Sequence, residues 1–306
     1  MHASEPTATL PLAGPEPDQL DRVFPAGGAL DGRLFSRLID DRPDELAPGT
    51  RLGSWRLDRP LGRGGSATVY LAEREDRCTR LQAALKVVRA GRVLVEQCRR
   101  EREILGALDH PSIVGLIDGD DIEGGRSWLA MEPVFGERID VHVQARRLEL
   151  AERLALFEQI CDAVAHVHSR RLIHCDIKPG NLLVDGSGRP RLLDFGIAVA
   201  EGVRRPSRHL AMTPIYASPE QRAGNTLTSA SDIYQLGALL DTLIDAESDI
   251  DGNAVPTRPG TRRKRATRVD EIIRCATARD PAHRFPSVEA LSAEVAKLRR
   301  RDRARP

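Results

Sequence analysis

HCDIKPGNLLVD (174–185), followed six residues later by LLDFG (192–196), decides how the chain folds and what it can do. Asp176, Lys178, Asn181 and Asp194 bring two carboxylates, an ammonium and an amide close together in sequence. A hard cation such as Mg²⁺ takes oxygen ligands and keeps several waters, so one carboxylate, one amide oxygen and phosphate oxygens make a suitable shell. That leaves a second carboxylate and a lysine. Moving a phosphoryl group needs positioning and charge neutralisation more than covalent chemistry, and this set supplies that minimum.

Upstream, LGRGGSATVYLA (61–72) places Gly62, Gly64 and Gly65 between two apolar runs. Glycine lets backbone approach a phosphate closely, because no Cβ intervenes; an ordinary hairpin turn would use the same residues. No helix follows the glycines, so P-loop and dinucleotide-binding motifs are excluded. Next comes QAALKVV (82–88), with Lys86 among apolar neighbours. A buried ammonium needs an anionic partner, and Glu101 on the following amphipathic segment is the candidate. Lys86 bridges Glu101 and a phosphate on one reading and forms a structural pair on the other.

The periodicities predict strands over WRLDRPLG (55–62), TVYLAE (68–73), QAALKVV and 129–134. They predict helices over 97–108, 152–168, 231–244, 269–278 and 287–298. A strand-rich front and a helix-rich back imply an α+β chain with two lobes. The expected divisions are a flexible leader over 1–50, a small lobe over 51–134, a large lobe over 135–300 and a charged tail over 301–306.

The 306 residues carry 46 Lys+Arg against 45 Asp+Glu, so charge balance predicts neither nucleic acid nor an anionic membrane as partner. The run RPGTRRKRATR (Arg258–Arg268) is either a solvated loop or a docking patch for an acidic partner. Five cysteines without a Cys-x-x-Cys pair predict reduced thiols in the cytoplasm rather than a disulfide framework or a zinc site. No signal peptide is expected, and no apolar stretch approaches the roughly 20 residues of a membrane span. His174 is read as structural, because no second His or Cys falls at ligand spacing.

In order and spacing these segments resemble the eukaryotic-like Ser/Thr protein kinases of bacteria, from about Gly53 to Leu298. The resemblance implies a two-lobed kinase fold that uses ATP with Mg²⁺, or Mn²⁺, on protein substrates with Ser/Thr acceptors. It implies that Leu61, Gly62, Gly64 and Ala67 belong to a lid over the nucleotide, Ala67 standing where a third glycine is usual. Val69, Ala84 and Leu183 would enclose the adenine, beside Met131 as gatekeeper and the backbone of Glu132 and Val134. Lys86, oriented by Glu101, would hold the α- and β-phosphates. Asp176 would receive or orient the acceptor hydroxyl proton, Lys178 would steady the γ-phosphate, and Asn181 and Asp194 would hold metal. Thr213 and PIYASPE (214–220) would form the acceptor platform. Glu220 would pair with Arg284, and Asp232 would anchor the catalytic loop. His174 would pack under Phe195.

Two departures stand out. Cys175 occupies the place of an arginine that in this family binds a phosphate on the activation segment, so activity is expected not to depend on that phosphate. After Gly237, DAESDIDGNAV (245–255) and the basic run replace an apolar loop, so the large lobe looks trimmed. The rival readings are a pseudokinase scaffold and a small-molecule phosphotransferase; the second does not predict Thr213, the SPE motif or a Glu220–Arg284 pair.

Overall fold

Alternation within the early strands buries both sides of one sheet. The computed structural model describes residues 46–75, 80–122, 124–202, 215–245 and 267–303. Its first part is a six-stranded antiparallel sheet. The strands are β1 (Arg51–Leu52), β2 (Trp55–Arg63), β3 (Ala67–Glu75), β4 (Arg80–Val88), β5 (Leu116–Ile122) and β6 (Arg126–Met131), in the order β1-β2-β3-β4-β6-β5. One face packs Trp55, Leu57, Tyr70, Leu85 and Trp128 together. The opposite face carries Leu61, Val69, Leu71 and Ala84, and Leu129 and Met131 on that side join the main core. Because side chains alternate along a strand, Lys86 shares the second face with Ala84 and Val88. The register sets Val69 opposite Lys86, and lines up Leu71, Ala84 and Met131 across three strands. Pro60, which has no N–H to give the ladder, sits where β2 shifts register.

Helix α1 (Arg92–Gly106) lies against this sheet and buries Cys98, Glu101 and Leu105, one stripe at helical spacing. Beyond Met131 the chain is mostly helical. It contains β7 (Gly136–Arg138), α2 (Ile139–Ala145), α3 (Leu150–Ser169), β8 (Leu172–Ile173), β9 (Leu182–Asp185), β10 (Pro190–Leu192) and β11 (Val199–Ala200). Then come α4 (Pro219–Ala223), α5 (Ser229–Asp245), α6 (Thr267–Ala276) and α7 (Val288–Arg303). The small sheets β10-β9-β7 and β11-β8 are antiparallel. Helix α5 is buried on nearly every side, Ser231 through Leu240 included, so it forms the axis of the helical part. Helix α7 lies along α3, where Arg299 grips Glu158 through two bonds of 2.7 and 2.8 Å.

Several boundaries differ from the sequence reading. Ordered structure begins before 50: the Leu46 N–H donates to the Tyr70 hydroxyl (3.0 Å) and the Gly49 N–H to the Leu57 carbonyl (2.7 Å). Helix α1 starts at Arg92 rather than 97, and α7 continues to Arg303 rather than ending near 298. Strand β6 begins at Arg126 and ends at Met131, because beyond it the chain turns away from the sheet; strand β5 and helix α2 were not expected at all. Thr213, residues 1–45 and the basic run up to 266 lie outside the described residues. Of that run, Arg268 pairs with Glu294 of α7 at 3.1 Å. Among the described residues, no helix is long and apolar enough to cross a membrane.

Candidate functional site

Sheet, helix α1 and the LLDFG turn converge on Lys86. Its Nζ donates to both Glu101 carboxylate oxygens and to Asp194 Oδ1, each at 2.8 Å. Glu101 reaches it because α1 is fastened to the sheet. Arg99 Nε (2.8 Å) and Arg102 Nη2 (3.1 Å) bond Asp121 on β5, and Arg102 also reaches the Trp128 carbonyl at 3.4 Å. Burial works against the charge on Lys86, but the Asp194 and Glu101 carboxylates outweigh it and hold the ammonium protonated well above its ordinary range. Burial, aided by Asp194, pushes Glu101 up to about 6 against the pull of Lys86. Desolvation also opposes the charge on Asp194. Lys86 and the Gly196 N–H more than offset it, so that carboxyl stays ionised far below the usual range.

The second half of the site is the loop 174–181. Asp176 Oδ2 accepts from Lys178 Nζ and from Asn181 Nδ2, both at 2.8 Å. Asn181 Nδ2 also bonds the Asp176 carbonyl at 2.9 Å. With its nitrogen committed in this way, Asn181 has its amide oxygen left for another ligand. Asp194 stands at φ 55° and Cys175 at φ 68°, a region that residues with a Cβ seldom adopt and that costs on the order of 1–3 kcal/mol each. Such backbone persists where surrounding bonds over-determine it. Asp232 on α5 supplies several of them, accepting the His174 and Cys175 N–H groups, both at 2.9 Å, and bonding His168 Nε2 at 2.8 Å. The His174 ring meets Phe195 edge-on at 4.6 Å, accepts the Asp176 N–H at Nδ1 and contacts the Leu193 carbonyl at Nε2. The expected packing of His174 under Phe195 is therefore found. Among the described residues no group of three His, Cys, Asp or Glu could by itself hold a metal ion.

Leu61, Ala84 and Val69 come together above the loop, with Leu71 and Phe135 beside them; Met131 and Leu183 are buried, and Val134 is half-buried. The Glu132 N–H is committed to the Gly115 carbonyl at 2.9 Å, and its carboxylate pairs with Arg191 at 2.5 Å. Of its backbone only the carbonyl remains to meet a ligand. Gly62 pairs with Val69 across the hairpin, and the Gly64 N–H bonds the Ala67 carbonyl at 2.8 Å, while a Cβ on Gly65 would meet nothing. Below the loop, Arg284 forms a two-bond pair with Glu220 at 2.7 and 2.9 Å. Cys175 is buried with Ile173, Val199 and Leu227 in an apolar cluster. Sequence reasoning missed Phe135, the direct Lys86–Asp194 bond and two buried glutamines, Gln221 and Gln235. None of these carries a signal that spacing or composition reveals.

This arrangement defines the class. Residues 55–300 match the protein kinase domain, and the chain belongs to the protein kinase family, in its bacterial eukaryotic-like Ser/Thr branch. It is 34% identical over 265 residues to the serine/threonine-protein kinase PrkC of Bacillus subtilis, covering 79% of this chain and 40% of that protein. It is also 34% identical over 268 residues to PknJ of Mycobacterium tuberculosis, covering 79% of this chain and 45% of that protein. The probable serine/threonine-protein kinase PknB of Lactococcus lactis is 30% identical over 261 residues, covering 79% and 41%. The chain thus spans less than half the length of these relatives. Protein kinases as a family use ATP with a divalent metal.

Proposed function

We propose that the chain is an active cytoplasmic Ser/Thr protein kinase, with ATP held in a cleft between a sheet-rich lobe and a helical lobe. The observation that carries this reading is the joining of Lys86, Glu101 and Asp194 beside the Asp176–Lys178–Asn181 cluster. Val69, Ala84, Leu183 and Met131 would enclose the adenine, whose edge would bond the Glu132 carbonyl and the Val134 backbone. The lid of Leu61, Gly62 and Gly64 would lie over the phosphates. The donor set suits Mg²⁺, or Mn²⁺: an ionised carboxylate at Asp194 and an amide oxygen at Asn181 provide few, hard oxygen ligands and leave room for phosphate and water. The metal would supply charge neutralisation on the phosphates.

Lys86, tied to Glu101, orients the α- and β-phosphates. Asp176 receives the proton of the acceptor hydroxyl as its oxygen bonds the γ-phosphorus, and the bridging P–O bond breaks with its electron pair leaving on ADP. Lys178, already at Asp176, balances charge on the transferred group. Thr213 belongs to the acceptor site on this reading, and an acidic partner would dock on the basic run before α6.

The test is transfer of labelled γ-phosphate from Mg-ATP to the chain itself or to a generic protein acceptor. The intact chain is expected to transfer, and Asp176→Asn and Lys86→Met to lose transfer. ATP binding without transfer to any acceptor would replace this reading with a nucleotide-binding scaffold. Transfer to small alcohols in preference to protein would replace it with a small-molecule phosphotransferase.

A further inference from the structure

Every backbone polar group from the His174 N–H to the Ile177 N–H, the carbonyl of His174 apart, is bonded to a side chain. Asp232 takes the His174 and Cys175 N–H groups, His174 Nδ1 takes that of Asp176, and Asn181 bonds the Asp176 carbonyl. Two buried glutamines supply the rest. Gln235 on α5 donates through Nε2 to the Cys175 carbonyl at 2.7 Å and accepts the Ile177 N–H at Oε1 at 2.8 Å. Gln221 on α4 donates to the same Cys175 carbonyl at 2.8 Å and accepts a further bond from Gln235 Nε2 at 3.0 Å. The orientation of the Gln235 amide is forced, since the Ile177 N–H needs an oxygen and the Cys175 carbonyl needs a donor. Both glutamines are essentially inaccessible to solvent, at 0% and 2% exposure, so these bonds do not compete with water.

The peptide they grip is the one that enters Asp176, and Cys175 holds it at positive φ. The Cys175 side chain lies in an apolar cluster and brings no charge to the loop. We propose that Gln235 and Gln221 are positioning residues that aim the Asp176 carboxylate, so that α5 and α4 set the reactive shape of the loop where a charged residue at 175 is lacking. Because α4 directly follows the 214–218 segment, Gln221 also ties the expected acceptor platform to the catalytic loop. This inference rests on the kinase reading for its consequence, though not for its geometry.

The test uses Gln235→Met and Gln235→Glu in the intact chain, each checked by circular dichroism and melting. Gln235→Met keeps the volume and removes all three bonds. It is expected to lower kcat by about 10- to 100-fold with KM for ATP changed less than about twofold, since misplacement of about 1 Å at a reacting group costs about that much. Gln235→Glu points a carboxylate at the two oxygens of Cys175 and Gln221; protonation restores one donor. Its kcat relative to the parent is therefore expected to rise as pH falls, a dependence that a merely structural residue would not produce. Wild-type kcat in Gln235→Met, or a flat relative pH profile in Gln235→Glu, would overturn the proposal. Hydrogen exchange at the Ile177 amide separates the two readings. If the parent transfers no phosphate, the kinase reading falls, yet exchange at least tenfold faster in Gln235→Met still supports the clamp, and unchanged exchange removes it.

Discussion

Arg284→Met would test how the helical part is held beneath the site. The guanidinium is fully buried and spends all five N–H donors. Two go to Glu220 (2.7 and 2.9 Å), and the others to the carbonyls of Ala278 (2.8 Å), Ala230 (2.7 Å) and Arg279 (3.3 Å). Its face also lies over the Tyr234 ring at 5.0 Å. Methionine fills similar space but strands the Glu220 carboxylate, 8% exposed, with Ser231 as its remaining side-chain donor at 2.8 Å. Breaking a buried pair from one side costs about 3–5 kcal/mol, because an uncompensated charge remains. At about 2–4 °C per kcal/mol for a domain of this size, melting is expected to fall by roughly 6–20 °C at pH 7. Although burial opposes it, the pair with Arg284 holds the Glu220 pKa below its ordinary 4.5. The stability this contributes to the parent is complete above the unfolded pKa and is lost as pH falls through the lower folded value. In the variant the stranded carboxyl titrates upward instead, so acid relieves it. The gap between parent and variant should therefore narrow from the variant's side as pH drops from neutral, and from the parent's side only once pH falls below 4.5. Adding Glu220→Gln removes the buried charge and should recover part of the loss. Scanning calorimetry over pH 4–8 measures all of this. Melting of Arg284→Met within 2 °C of the parent at pH 7, or a double variant that melts below the single one, would refute the reasoning.

Gly237→Ala should destabilise the protein, though alanine inside a helix ordinarily gains about 0.5–1 kcal/mol. A Cβ there would stand 2.6 Å from the Ala276 Cβ and 2.9 Å from the Thr277 Cγ2, and overpacking of this kind costs about 1–3 kcal/mol; a raised melting temperature would refute it. Hydrogen bonds from Arg99 and Ser127 lower Asp121 to about 2, so its contribution to stability is present above about pH 4 and lost as pH falls toward 2. Asp121→Asn should thus lower stability by up to about 1 kcal/mol at pH 7, as expected of a half-exposed cluster, and leave it unchanged near pH 2 in acid titrations. Burial raises the Cys161 thiol well above its usual range, whereas Cys275 is partly accessible. Native-state alkylation at pH 8 should therefore label Cys275 far faster than Cys161, and equal rates would argue against this packing.

The parts of the fold legible in sequence were those whose physics is local. Trp55–Arg63, Ala67–Glu75 and Arg80–Val88 carry short apolar runs, such as Tyr70–Ala72 and Ala83–Leu85, because both faces of the sheet are buried by different partners. Strand β5 was missed because LIDGDDI holds three aspartates and a glycine, which disfavour strands; it forms as an edge, paired on one side with β6 and bonded to α1 through Asp121. The start of α1 was misplaced because the amphipathic pattern is evident only from 97 onward, whereas the helix begins at Arg92 and is held by the packing of Cys98, Glu101 and Leu105. In the site, the clustering of Asp176, Lys178 and Asn181 was visible because the residues are sequence neighbours. The meeting of Lys86 with Asp194 crosses 108 positions, and spacing alone carries no trace of it.

The glutamines were invisible for another reason. A polar residue inside an apolar helix ordinarily argues against burial, and α5 contains Ser231, Asp232 and Gln235, all buried. The conflict resolves once the neighbouring loop is considered. Residues 174–177 follow the short strand β8 and run to Ile177 without helix or sheet of their own, so their N–H and C=O groups would be buried unpaired, at about 1–3 kcal/mol apiece. Helix α5 carries side chains that need partners, and the loop carries backbone that needs them. Asp232 and Gln235, three residues apart on one helix, satisfy both needs at once, while Ser231 turns to Glu220 and links the same helix to the Arg284 pair. A helix that looked mispatterned by itself is consistent when read with the loop it supports, and that mutual satisfaction is what can hold an irregular, strained segment in a single shape.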